Sequence, residues 1–537
     1  MDQRLQDGPA KSLHSHQGVT TAACERPGPL LRRASDLGCS STPFVVLICA
    51  LMTVPFFFAT IPPLTDLPGH MGGSAVAAYS DDPVFAKLMA FHWRLVPNLG
   101  TDLVVAALQG LLGLTRAYRF AAAIIPPLLA AGILLVARAL NPRGAAAAPW
   151  ALVFVYSYLL NYGFLNYMLG AALSLLCFAA WMLLDERPRL REGATWIAVP
   201  LLFLCHVVAG CLFVLFVGSR EFALLRGRWR AGEFLRRVRP LLSSVVIIVL
   251  WRLDAQSFAG SNRFSFSAKY NAVLMLLRDQ NLLLDVGSLI LALAVFAVGW
   301  RRHARPHPAV MPALLVLIVL FLATPFSLSG SSYADARLLP LVPMLAFATQ
   351  DWSGVDPRLA RRVAACGFAV LAVRLAVTTA GFAAYDARYS AELAALAHIP
   401  EHSRVIVLNK RDCDFRLFWR ADRLDHLGDL AIAYRRAWTN SQWDVDGAHL
   451  LQILYRPSPR FYDDPSQYVW PSRCGGVEKK RPTLRDALAA IPFDGIDVLW
   501  LIDASLPTGY RNARLSPQWQ GEDSVLYAVL PAAQAPR

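Results

Sequence analysis

Charge is scarce in this sequence. Asp, Glu, Lys and Arg make up 17% of its 537 residues against 55% hydrophobic residues, a balance too apolar for a water-soluble globule of this length. Lysine is scarcer still, with six among the 52 basic residues. The arginines that remain gather in short segments beside apolar runs, so the formal charge of +14 reads as membrane orientation rather than as a nucleic-acid groove. Nine cysteines are present, but no CxxC pair and no Cys/His zinc spacing, which excludes a zinc module. Cys49, Cys177, Cys205, Cys211 and Cys366 lie inside apolar runs and read as core residues. There is also no internal repeat and no pair of similar halves of the kind on which many transporters are built.

What the sequence does have is a series of apolar runs. A polar tail, residues 1–42, reads as disordered and cytoplasmic, and ends in a run whose core, Pro43–Ile61, is long enough to span a bilayer of ~30 Å. Pro62-Pro63 close that run without a small-residue cleavage pattern, so it reads as a retained helix. Further runs lie near 99–114, 120–140, 148–161, 165–184, 194–224, 240–252, 286–300, 309–326, 338–350 and 363–383. Arginine clusters follow four of them, at 187–191, 226–239, 301–305 and 358–362. One arrangement puts all four inside: 99–114 lies along the outer face and 194–224 turns outside near His206, which gives about eleven spans. The fold class expected is therefore a polytopic α-helical membrane protein of the bacterial inner membrane. Its parts are a transmembrane domain over 43–384, with a long outer loop at 62–119, and a periplasmic α/β domain over 385–537. Strand-like runs in the latter are RVIVL at 404–408, DVLWLI at 497–502 and SVLYAVL at 524–530. Cys413 and Cys474 are its two thiols, and an oxidising compartment allows them to pair.

The outer stretch PPLTDLPGHMGGSAVAAY, 62–79, carries the densest chemistry. Asp66 and His70 are four apart, hence on one helical face, as suits a carboxylate with a tuning partner; Asp66 or Thr65 serving only as a helix cap is the competing explanation. His206 interrupts a long apolar stretch, and an ionisable group at that depth is a functional candidate set against a buried, hydrogen-bonded histidine. Arg337 opens a span from the outside, where its planar fork suits a phosphate, unless it only snorkels to the interface. Asn166, in YGFLNYMLG, reads as readily as a link between helices.

These residues, in this order, resemble the GT-C superfamily of polyprenyl-phosphate-sugar-dependent glycosyltransferases, and more nearly bacterial GT-C-like proteins with a DLPxH first loop. The resemblance implies an inverting transfer of a sugar from a lipid-linked donor to an extracytoplasmic acceptor. Asp66 occupies the place of the family's general base, with His70 beside it; Arg337 and His206 meet the donor phosphate, with Arg263 and Lys269 next in line. His92, Arg94, Asn166, Tyr167 and Lys269 are further substrate-binding candidates. No cofactor or metal is called for, a divalent ion held by Asp66 with His70 or His92 being the less favoured alternative, and the partners are the lipid-linked donor, the acceptor and membrane lipids, with no nucleic acid. A transporter or lipid flippase, or a non-catalytic scaffold lacking the family's second carboxylate at Asn166-Tyr167, are the rival readings. The topology has a direct check: alkaline phosphatase fused after residue 384 is expected to be active and β-galactosidase at the same point inactive.

Overall fold

The computed structural model describes residues 41–226, 230–254, 262–413, 419–445, 449–470 and 482–534, so the expected tail falls outside the described residues up to position 40. The described chain belongs to one compact unit, Leu37–Arg537. Helices dominate as far as residue 393: α1 (Thr42–Met52), α2 (Leu67–Ala78), α3 (Gly100–Leu112), α4 (Leu114–Ala123), α5 (Ile125–Leu140), α6 (Ala148–Val153), α7 (Tyr158–Tyr162) and α8 (Leu165–Leu183). There follow α9 (Pro188–Cys205), α10 (Val207–Leu225), α11 (Ala231–Val238), α12 (Ser243–Asp254), α13 (Phe266–Leu274), α14 (Leu282–Arg301), α15 (Met311–Ala323), α16 (Leu341–Thr349) and α17 (Pro357–Leu393).

Among the described residues, five stretches are long and apolar enough to cross a membrane: Leu114–Leu140, Leu165–Leu183, Val207–Leu225, Leu282–Arg301 and Pro357–His398. The other apolar runs form shorter helices, so five stretches meet this length and composition where the sequence reading counts about eleven. The run 148–161 shows why the two counts differ. It breaks at Phe154–Ser157, and the residues of α6, the break and the first four of α7 are buried inside the bundle, so its apolar character serves protein packing rather than lipid. The run at 194–224 does divide at His206, which is extended (φ −166°) between α9 and α10.

Beyond α17 the chain builds a sheet. β2 (Arg404–Lys410), β3 (Trp438–Thr439), β5 (Tyr468–Val469), β6 (Val498–Ile502), β7 (Leu515–Gln520) and β8 (Val525–Val529) form six strands in the order β3-β2-β6-β8-β7, with β5 also on β2. The β2–β6 core is parallel and the β6–β8–β7 edge antiparallel. A separate pair joins β1 (Met89–Phe91) of the outer loop to β4 (Leu451–Ile453). β2 and β6 read as continuous apolar runs because both faces of this sheet are covered. Their alternate residues part company: Val405, Val407, Val498, Trp500 and Ile502 join the core of the helical bundle, whereas Ile406, Leu408, Leu499 and Leu501 join a second core with Val76, Phe85 and Met89 of the outer loop. The boundary at 384/385 falls inside α17, and one face of the sheet is part of the bundle's own core.

Buried charges fasten the two layers together. Arg374 of α17 donates to Asp285 Oδ1 of α14 (2.8 Å) and to the Leu277 carbonyl (2.8 Å), while Asp285 Oδ2 accepts from Trp419 Nε1 (2.9 Å) and from the Asp279 amide (2.7 Å). Asp279 in turn pairs with Arg423, accepts from Thr378 (2.8 Å) and takes the Ala421 amide on its carbonyl (2.8 Å). Both acids and both arginines are buried, so removing one member strands a charge away from water. Arg374→Met is expected to destabilise the protein by roughly 3–5 kcal/mol. Adding Asp285→Asn, which keeps an acceptor for Trp419 without the charge, recovers part of that loss in thermal unfolding followed by tryptophan fluorescence.

Candidate active site

The stretch between α1 and α2 is fixed by its backbone: the Asp66 amide donates to the Tyr162 carbonyl (2.8 Å) and the Thr65 amide to that of Asn161 (3.3 Å). Pro68 stands in the first turn of α2, where its missing N–H costs nothing. Asp66 holds the N-cap position, yet its side chain makes no capping bond, so capping does not account for the carboxylate. Gly163, in the left-handed region at φ 105°, lets the chain after α7 pass beneath it; a Cβ there would lie 3.0 Å from the Asp66 amide nitrogen and 3.2 Å from its Cβ.

The partner of Asp66 comes from the far end of the chain. His426 Nε2 lies 3.7 Å from Asp66 Oδ1 and 3.9 Å from Asp464 Oδ1. Its Nδ1 is 3.0 Å from the Ser441 carbonyl, which can only accept, so that nitrogen carries a proton; Asp429 Oδ2 lies 3.3 Å from the same atom. Asp429 is itself held by Thr439 and Ser441 hydroxyls. Burial alone pushes the His426 pKa down, but the Asp429 bond and the charges of Asp464, Asp66 and Asp429 outweigh it and raise it to about 10. An imidazolium therefore faces Asp66. Burial is also the main influence on Asp66 and raises its carboxyl to about 7, with Asp464 and Asp429 adding to the rise and His426 and Arg337 opposing it. No hydrogen bond reaches this carboxylate among the described residues, and its side chain is 12% exposed. It is a buried, unbonded base that titrates near neutrality.

The residues singled out from sequence are distributed unevenly around it. The His70 ring meets Trp443 edge-on at 5.5 Å and forms no ion pair with Asp66 among the described residues; burial with the charges of His449 and His426 lowers its pKa to about 3, so it is neutral. Arg337 is buried and acts electrostatically on Asp66. Its guanidinium lies 4.8 Å from the Phe164 ring, donates to Ser331 (3.2 Å) and keeps Nε buried without a hydrogen-bond partner among the described residues. Tyr167 donates to the Arg337 carbonyl and packs edge-on against His206 at 5.6 Å, so these three do come together. His206 spends Nδ1 on capping α10, accepting from the Val208 amide at 3.1 Å.

Lys269 is buried in an ion pair with Asp335 (2.7 Å) and bonded to the Thr324 carbonyl. Asn166 ties α8 to α3, accepting from Thr101 and donating to the Asn98 carbonyl (2.7 Å) and to Asp102 (2.9 Å). His92 is exposed and Arg94 half-buried, and no bond joins either to Asp66 among the described residues. No group of three or more His, Cys, Asp or Glu is arranged to hold a metal ion among the described residues. Cys413 is disulfide-bonded, and Cys474 lies outside the described residues.

No family model and no curated protein matches the sequence. Among solved structures, that of ArnT from Cupriavidus metallidurans bound to undecaprenyl phosphate matches 93% of this chain and 100% of its own length, with a TM-score of 0.51 and 14% identity. The two share a fold. What they share is architecture, a polytopic helical bundle bearing a C-terminal sheet.

A raised carboxyl pKa is a stability statement as well. The folded state holds Asp66 protonated at pH 5, and is increasingly penalised as pH rises from about 3.8, the ordinary value, through about 7. Asp66→Asn is therefore expected to raise the thermal midpoint at pH 8, by an increment worth up to roughly 4 kcal/mol, and to have a smaller effect at pH 5. A lower midpoint at pH 8 would mean that the charge is a structural necessity.

Proposed function

We propose that the chain is an inverting glycosyltransferase that takes a sugar from a polyprenyl-phosphate carrier in the membrane. The observation that carries this reading is Asp66, a buried carboxylate without hydrogen bonds, between an imidazolium and the field of a buried arginine. It sits in the fold of a protein solved with undecaprenyl phosphate. Lipid spans beneath the site and an α/β layer above it fit a donor whose tail stays in the bilayer, at the inner membrane with the layer on the periplasmic side.

In this mechanism the donor phosphate binds Arg337, whose Nε has no partner among the described residues and whose fork suits two phosphate oxygens. Asp66 takes the proton from the acceptor hydroxyl as its oxygen bonds to the anomeric carbon; the bond from that carbon to the phosphate oxygen breaks, and the electron pair leaves with polyprenyl phosphate. Arg337 stabilises the charge growing on the departing phosphate. His426, pinned through Nδ1, keeps Asp66 oriented and holds down its pKa. His206, already engaged as a cap, shapes the pocket through Tyr167 rather than binding phosphate by Nδ1.

With purified protein and labelled polyprenyl-phosphate sugars, Asp66→Asn is expected to bind donor normally and lose about 10² to 10⁴ in turnover. Wild-type rate is expected to rise as pH passes through about 7, and His426→Gln to move that limb to higher pH, because it removes a cation that lowers the Asp66 pKa. Arg337→Lys should restore only part of the donor affinity lost in Arg337→Ala. Near-normal turnover by Asp66→Asn would sink the mechanism.

A further inference from the structure

One feature near Asp66 plays no part in that mechanism. A cavity of about 60 Å³ opens on the side of α2 that carries Gly69 and His70, space for roughly four water-sized positions. Trp443 is its largest wall. The indole stands over Gly69, where any Cβ would collide with its six-membered ring. It meets His70, His426 and His449 edge-on, with ring centroids 5.5, 4.8 and 6.4 Å away. Since His426 also touches Asp66, the cavity lies one side chain from the proposed base.

The chemistry of the walls narrows what fits. Among the described residues no Lys or Arg lines the cavity, which leaves a phosphate, sulfate or carboxylate without a counter-charge there. Nor is it a greasy slot for an acyl chain, because His70, Asn98, Asp102, Gln442 and His449 share the lining. Both of these histidines are neutral: burial lowers His449 to about 4, with the charge of Arg337 adding from beyond the lining, and His70 lies lower still. A neutral imidazole offers one donor and one acceptor, a match for hydroxyl groups that both give and take. A flat indole beside such groups is the pairing that a pyranose ring needs, apolar C–H face to aromatic face and hydroxyl rim to polar side chains.

We propose that this cavity is the acceptor subsite, and that it receives an uncharged, hydroxyl-bearing sugar residue stacked on Trp443. The proposal rests on the glycosyl-transfer reading above and names its acceptor class. A hydroxyl of the bound ring then points past His426 towards Asp66, while Arg337 holds the donor on the other side.

The test uses the full chain in detergent, fluorescently labelled, on an array of neutral and anionic glycans, with undecaprenyl phosphate binding measured in parallel. Wild type is expected to bind neutral glycans, Trp443→Ala to lose that binding at least tenfold, and Trp443→Phe to keep part of it, all with unchanged undecaprenyl phosphate binding. If Trp443→Ala fails to fold, His449→Leu is read in its place and is expected to show the same selective loss. Binding confined to anionic glycans, neutral binding indifferent to these substitutions, or no neutral binding would each overturn the proposal. Trp443-dependent glycan binding by a protein that ignores undecaprenyl phosphate would instead leave the sugar site standing and remove the lipid-linked donor.

Discussion

The approach of residues 426–443 to α2 is the contact on which the rest of the site depends. Backbone and side chains meet there more closely than a Cβ would allow: one at Gly69 would strike the Trp443 ring, and one at Gly72 would lie 2.8 Å from the Asp429 carbonyl oxygen. Two glycines inside a helix cost about 1 kcal/mol each relative to alanine. What they permit is the burial of Asp66 beneath His426 and Trp443, and Gln442 adds a bond to the Gly69 carbonyl (2.9 Å). The buried network of Asp279, Asp285, Arg374 and Arg423 holds the preceding segment, 419–423, against the bundle, so the approach is anchored at one end by charge and at the other by close packing.

That contact also explains how two groups of opposite type acquire useful proton affinities in the same pocket. Burial raises a carboxyl and lowers an imidazole. Asp66 follows that rule, but His426 does not, because three carboxylates surround it while one side of Asp66 faces Arg337. The result is a cation beside a base that is half-deprotonated near neutral pH, the separation of proton affinities from which acid and base roles are assigned.

How much of this was legible in the sequence follows from the range of each interaction. Asp66 announced itself locally, as a carboxylate after an apolar run and before Leu-Pro-Gly-His, and the strands at 404–410, 498–502 and 525–529 lie where short strand-like apolar runs placed them. The split at His206 was legible for the same reason. His426 was not, since it meets Asp66 across 360 positions and nothing at either end encodes the meeting. A signal was nonetheless present in DRLDHLGDL, 422–430, where a histidine and three acids crowd into nine residues of a region otherwise read as ordinary soluble sequence. Helical spacing places His70 and Asp66 on one face without saying which neighbour is packed against that face, and for the His70 ring that neighbour is Trp443. Span counting meets the same limit: hydropathy cannot distinguish a helix facing lipid from one such as α6, whose apolar residues face other helices.

The same argument decides what the C-terminal layer is for. A free-standing sheet would show one face packed on its own helices and would leave the membrane bundle complete without it. Here alternate residues of β2 and β6 enter two cores, one of them the bundle's, and the outer loop contributes β1 to a pair with β4. Asp66 gains its imidazolium, its flanking acids and its aromatic wall from residues 426–464, whereas Arg337, Tyr162 and Gly163 come from the bundle. Neither layer contains the site. A chain ending with α17 would keep the carboxylate but expose it to water, and with burial gone the carboxyl would fall back towards its ordinary range, too weak a base to serve near neutral pH. The sheet is therefore the part of the molecule that makes Asp66 chemically distinct from any surface aspartate.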